Sequence, residues 1–217
     1  MNLLVSLILA TVLGSSDDVS KILECADQAG QSLKTLKAEL KQKKTYRYFP
    51  DEEESTEGVL FYKRPLTVLK ISSPAPRTIW IDKDSVEIYT PSTRQLERWE
   101  RAKEGEKAPS PFSLTINKQA LETEYAISLS SATDGAYILH LEPKPGSKAA
   151  ELFQSRTITL RQSDCLPSSY EFVEESGDKT LMELHHFTPD GEIKKKDLRR
   201  TYPADVEIIP LNELSLQ

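Results

Sequence analysis

The chain has 217 residues, 38% hydrophobic and 29% charged, a balance that fits a globular domain and excludes a polytopic membrane protein. Lys and Arg total 28 against 34 Asp and Glu, a net charge of -6, which argues against a nucleic-acid partner because phosphate binding needs a basic surface.

The first residues hold an uncharged run from Leu3 to Leu13 followed by small residues. That run is too short to span a bilayer and matches the apolar segment of a secretory signal. A leader over residues 1–16 and a single domain over residues 17–217 are expected, the alternative for the run being a buried N-terminal helix. Ile22-Leu23-Glu24-Cys25 places a carboxylate where a lipoprotein processing site needs a small residue, so no lipid anchor is expected on the chain itself. Cys25 and Cys165 are the two cysteines. They form either one disulfide, in an oxidising compartment, or two inert thiols.

From Asp17 or Asp18, either a good N-cap, the apolar residues Val19, Ile22, Leu23, Ala26, Ala29, Leu33 and Leu36 recur at helical spacing. The period then falls to two at Leu36, Ala38 and Leu40, the signature of a half-buried strand. Pro50 and the acidic run Asp51 to Glu54 read as a solvated turn. Strand patterns follow at 59–63, 67–71, 78–81, 86–89 and 95–99, separated by proline-bearing or acidic turns. Residues 101–111 read as a charged loop, and Phe112 to Leu121 as one or two short helical turns. Strand patterns resume at 125–130, 136–142, 156–161, 169–173 and 180–187, punctuated by Asp-Gly, Pro-Gly and Ser-Gly turns.

A helix, a long antiparallel meander and a short helical insertion are therefore expected. A curved sheet this long must close, or cover its inner face, to keep apolar surface from water. The helices are too few to cover an outer face but suffice as a lid over a half-barrel.

No catalytic constellation is legible. His185 and His186 are adjacent in a strand pattern, so they face opposite ways and share no metal. No zinc spacing, nucleophile elbow or phosphate-cradling glycine loop occurs. A binding module without metal or cofactor fits better than an enzyme. Within it, Arg64 before Pro65 is either a strand-end surface cation like Lys63 or a donor turned inward.

Taken in order, several segments resemble the LolA-type periplasmic carriers of outer-membrane lipoproteins. They are Thr35 to Leu40, Gly58-Val59-Leu60-Phe61-Tyr62-Lys63-Arg64-Pro65, Ile79-Trp80-Ile81-Asp82 and Val86 to Pro91, then Pro111 to Leu114 and Arg200 to Val206. The last resembles the closing strand of those proteins. The resemblance implies an incomplete antiparallel β-barrel of about ten or eleven strands, its apolar inner face covered by a lid of short α-helices. It implies that Arg64 points inward and latches the lid. It also implies acylated lipoproteins as cargo, an inner-membrane lipoprotein-releasing transporter as donor, an outer-membrane acceptor, a periplasmic location and a monomer. The other expectation within the same fold is a periplasmic lipid-binding or lipid-sensing module that does not shuttle lipoproteins.

Residues sharing the face of Arg64 by period two, Leu60 and Tyr62, are candidate acyl-chain cavity residues. Ile79, Ile81, Ile88, Leu139 and Leu141 join them from later strands. Leu23, Phe112, Leu114 and Ile116 are the candidate lid residues. For each the competing expectation is ordinary core. A carrier is physically necessary for such cargo, since each CH₂ exposed to water costs about 0.8 kcal/mol.

Overall fold

The computed structural model describes residues 16–100, 114–133 and 135–210. Helix α1 (Ser16–Ser32) leads into the hairpin β1 (Thr35–Tyr46) and β2 (Phe49–Lys63). The meander continues through β3 (Leu66–Ser73), β4 (Arg77–Ile81), β5 (Ser85–Thr90) and β6 (Gln95–Glu100). Helix α2 (Lys118–Glu124) then opens a second meander of β7 (Tyr125–Thr133), β8 (Ala136–Pro143), β9 (Phe153–Arg161), β10 (Pro167–Glu174) and β11 (Lys179–Pro189), with α3 (Lys148–Leu152) between β8 and β9. Helix α4 (Lys195–Leu198) and β12 (Glu207–Pro210) end the described chain.

All twelve strands form one sheet, ordered β12-β6-β5-β4-β3-β2-β1-β11-β10-β9-β8-β7. The two meanders join where β1 pairs antiparallel with β11, Leu40 opposite Leu184. β12 pairs parallel with β6, and β12 and β7 stand at the two edges. The barrel is thus incomplete, as expected, and no described helix is long and apolar enough to cross a membrane.

Alternation decides what each face covers. Leu60, Tyr62, Leu69, Ile71, Ile79 and Ile88 point to the inner face and form one cluster with Val19, Ile22 and Leu23 of α1 and Leu33 just beyond it. Phe61, Val68 and Trp80, one residue out of phase, form a second cluster on the outer face. There the segment after β11 crosses the sheet, packing Ile193, Leu198 and Tyr202 against them.

Helices α3 and α4 lie where the sequence reading expected none, and two segments differ from it as well. The acidic run 51–54 is not a turn but lies within β2. Pairing with β1 makes this possible: Lys43 forms an ion pair with Glu53, and Lys44, opposite Glu54 in register, directs its ammonium to Glu174 of β10 at 3.3 Å; opposite charges facing one another favour pairing. The expected closing strand at Arg200 to Val206 is not strand. Pro203 cannot donate to a ladder, and the Val206 N–H turns back to its carbonyl at 3.3 Å. The closing strand is β12, immediately beyond.

Candidate functional site

The lid begins with α1. Its apolar stripe lies on the inner face of the sheet, with Leu23 only 1% exposed. Full burial of a Val, Leu or Ile side chain stabilises by about 1.5–3 kcal/mol. The large residues Val19, Ile22 and Leu23, with Leu33 just past the helix end, therefore hold this cover down by roughly 6–12 kcal/mol on that coefficient, an upper bound. Complete detachment of α1 is far outside thermal reach unless a ligand replaces that apolar area.

The second lid element is the segment from Leu114 into α2. Leu114 and Ile116 are buried in the same inner cluster. The Asn117 side chain caps α2, accepting from the N–H of Ala120 at 2.8 Å, and Lys118 Nζ donates to Ser20 Oγ of α1 at 2.8 Å. The segment also crosses α1 closely. A Cβ on Gly30 would lie 3.1 Å from Thr115 Cα, so glycine is what lets the two backbones approach.

Arg64 closes the constellation from the sheet side. Its Nη2 donates to the carbonyl of Gly30 at 2.5 Å and to that of Leu33 at 3.1 Å. Its Nε donates to Tyr62 Oη at 3.3 Å, and its own backbone N–H donates to the carbonyl of Lys34 at 3.2 Å. Gly30 lies in the last turn of α1, where carbonyls have no partner within the helix, and a cation there is favoured by the helix dipole. The guanidinium does not enter the apolar interior: Arg64 is exposed, at the rim. The reason is positional. β2 ends at Lys63, so the alternation that would aim residue 64 inward has already stopped.

Between these parts lies a groove of about 490 Å³. Gly30, Gln31, Arg64, Ile81, Lys83, Leu114 and Ile116 are among the residues that line it. Tyr62 and Asp82 also line it. Asp82 is shaped by opposing effects. Burial pushes its carboxyl up, but the N–H of Asp84, the Arg200 guanidinium and the N–H of Ser85 together hold it below the usual carboxylate range.

The residues expected to line a cavity pack against one another as buried core, the competing expectation for each of them. Leu60, Tyr62, Ile79, Ile88, Leu139 and Leu141 are buried in the inner cluster, and Ile81 packs against it half-buried. Leu23, Leu114 and Ile116 of the lid join the same cluster; Phe112 lies outside the described residues. Of the cavity candidates, Tyr62 and Ile81 also border the groove. The sequence reading missed the polar rim at Asp82, Lys83 and Asn117 and the crossing at Gly30, although a glycine inside a helical stripe is a legible sign of close approach.

Cys25 and Cys165 form a disulfide, across 140 positions of sequence. It ties the middle of α1 to the turn between β9 and β10. Among the described residues no group of His, Cys, Asp or Glu could hold a metal ion.

The fold is shared with solved structures at low identity. An uncharacterized conserved protein from Thermus thermophilus is 13% identical, with a TM-score of 0.54, covering 89% of this chain and 99% of that one. MucB is 11% identical with a TM-score of 0.58, over 86% of this chain. The Pseudomonas aeruginosa MucA/MucB complex gives 11% and 0.54, over 85% of this chain. This chain spans 64% and 61% of the matched chain in those last two structures. At such identities the likeness is one of fold. A search of curated proteins found no match. The model of the family described as outer membrane lipoprotein carrier protein LolA matches residues 31–198. With well over half of its length matched, the chain belongs to the LolA family of outer membrane lipoprotein carrier proteins.

Proposed function

We propose that the protein is a periplasmic carrier that binds the acyl chains of lipoproteins against the inner face of its sheet and moves them between membranes. The observation that carries this reading is the lid. An apolar sheet face is covered by α1 and the Leu114 segment, and the rim of that cover is held by hydrogen bonds from one exposed arginine. Such a cover can yield to a ligand that replaces the apolar area it buries. No covalent chemistry is required of the protein.

The disulfide suits an oxidising compartment such as the periplasm. The partners that follow are acylated lipoproteins, a releasing transporter in the inner membrane and an outer-membrane acceptor.

A second reading is a lipid-binding or lipid-sensing module of the same fold that does not shuttle cargo. The size of the groove favours it: about 490 Å³ lies in the range of single small-molecule sites. Native mass spectrometry of the protein isolated from its host's periplasm separates the two. Co-purified triacylated protein supports the carrier. Free phospholipid alone supports the module, and a protein carrying neither speaks against both.

A further inference from the structure

Among the described residues, the large hydrophobic side chains left exposed are Tyr48, Phe49, Leu152 and Ile208. The first three lie at one end of the sheet, the end away from Arg64. Tyr48 is 75% and Phe49 60% exposed at the β1–β2 tip, and Leu152, 59% exposed, closes α3 just before β9. The turn between β10 and β11 joins them. Asp178 Oδ1 accepts from the Arg47 N–H at 3.0 Å, and the Glu175 N–H donates to the carbonyl of Leu152 at 3.0 Å. In the order β2-β1-β11-β10-β9, four strand spacings of about 4.8 Å put the two apolar points roughly 19 Å apart along one rim.

Local needs do not explain the tip. A tight hairpin favours Asn, Asp or Gly in its turn, yet Arg47 and Tyr48 stand there, and neither Tyr48 nor Phe49 reaches the core. The tip is nonetheless held in place. The Arg47 guanidinium stacks on Tyr48, 5.5 Å from the ring centroid. Its side chain also packs over Gly177, where a Cβ would lie 2.5 Å from Arg47 Cδ.

We propose that this rim docks on the surface of a lipid bilayer with zwitterionic headgroups. Tyr48 and Phe49 enter the interface, where aromatic rings are favoured, and Leu152 is a second foothold. Shape and charge select this partner. A protein pocket gathers its anchors at one centre, whereas apolar points set in line along a rim fit a plane. Lys43, Lys44 and Lys179 are paired with Glu53, Glu174 and Glu171. Beyond those pairs, Asp51, Glu52, Glu151, Glu175 and Asp178 outnumber Arg47 and Lys148. An anionic membrane is therefore disfavoured, while the ammonium of phosphatidylethanolamine donates to such carboxylates. So small an apolar area holds loosely, which lets the protein leave again. The groove, at the other end of β2, stays uncovered.

The test is cosedimentation with vesicles of phosphatidylethanolamine and phosphatidylcholine. Tyr48→Ser/Phe49→Ser removes both rings without touching the core, and an unchanged thermal melt checks that the fold is intact. Partition onto the vesicles is expected to fall at least tenfold in this variant. Replacing part of the lipid with phosphatidylglycerol should lower wild-type partition. In a second variant, Tyr48→Trp, emission should shift to the blue on adding vesicles and be quenched by brominated lipid, whereas Trp80 and Trp99 are buried and should respond little.

No partition of the wild-type protein, or wild-type partition of the double variant, overturns the docking surface. Binding that requires phosphatidylglycerol and is abolished by salt overturns it in favour of a cationic patch. Slower lipid delivery to native membranes by the double variant, with no wild-type binding to pure lipid, overturns it in favour of a protein contact. Because these vesicles hold no lipoprotein, each outcome is read apart from the carrier function proposed above.

Discussion

Arg64 reaches from the β2–β3 turn to the carbonyl of Gly30, 34 positions earlier, and holds the last turn of the lid helix at 2.5 Å. Because Arg64 is exposed overall and these bonds are only part-buried, they are worth about 1 kcal/mol rather than the larger sum of a dry site. Arg64→Leu should therefore keep the fold and lower Tm by only a few degrees. Transfer of bound lipid to acceptor vesicles should slow, because the bonds that favour the closed, empty form are gone. Transfer at the wild-type rate would remove this role from Arg64.

The period-two runs were legible because one face of each strand meets the inner core and the other meets solvent or the outer cluster. Leu60 and Tyr62 against Phe61 is that rule in three residues. It failed where pairing, not burial, makes the strand. Residues 49–55 of β2 are exposed, and they stay extended through pairing with β1, where Lys43 forms an ion pair with Glu53. The end of the chain was obscure for a different reason. Tyr202 belongs to the outer cluster, and nothing local to Arg200 to Val206 tells which face the segment will cross. The rim placement of Arg64 depended on one residue of strand length, which periodicity does not resolve. The pairing of Cys25 with Cys165 depended on the fold bringing a helix to a distant turn.

That disulfide closes a loop across 140 positions of sequence. Restricting so long a loop in the unfolded chain stabilises by up to about 4–5 kcal/mol in the chain-entropy model, with about 2–4 typical. Cys25→Ser/Cys165→Ser should lower Tm by roughly 5–15 °C in a thermal melt monitored by circular dichroism, with the same far-ultraviolet spectrum when folded. A melt unchanged within a degree would mean that the bond constrains little.

Trp80 lies 2% exposed on the outer face, its ring edge-on to Tyr202 with centroids 6.4 Å apart. Its indole N–H is buried and has no hydrogen-bond partner among the described residues. The group contributes apolar area and carries an unmet polar atom. Trp80→Phe should thus cost little, under about 1.5 kcal/mol, whereas Trp80→Ala should cost about 3–5 kcal/mol. Urea titration of both variants checks this. Equal losses in the two would show that the nitrogen, not the ring, matters.

The same outer strap is pinned by charge. Arg200 donates through Nη2 to Asp82 at 2.6 Å and through Nε to the buried Glu87 at 2.6 Å. Burial pushes the Asp82 carboxyl up, yet the Asp84 N–H, Arg200 and the Ser85 N–H outweigh it and leave the group below its ordinary value. A carboxyl depressed in the folded state stabilises above its unfolded pKa, and that contribution fades as pH falls through the folded value. The contribution is therefore complete above about pH 5, starts to decline near the unfolded value of about 4, and is lost below it. Asp82→Asn keeps an oxygen for the Asp84 and Ser85 N–H groups but loses the charge facing Arg200. Its Tm should fall below wild type at about pH 7, and the gap should shrink as the pH is lowered from about 5 towards 2. A gap that stayed constant or widened on acidification would show that the Asp82 charge does not hold the strap to the sheet.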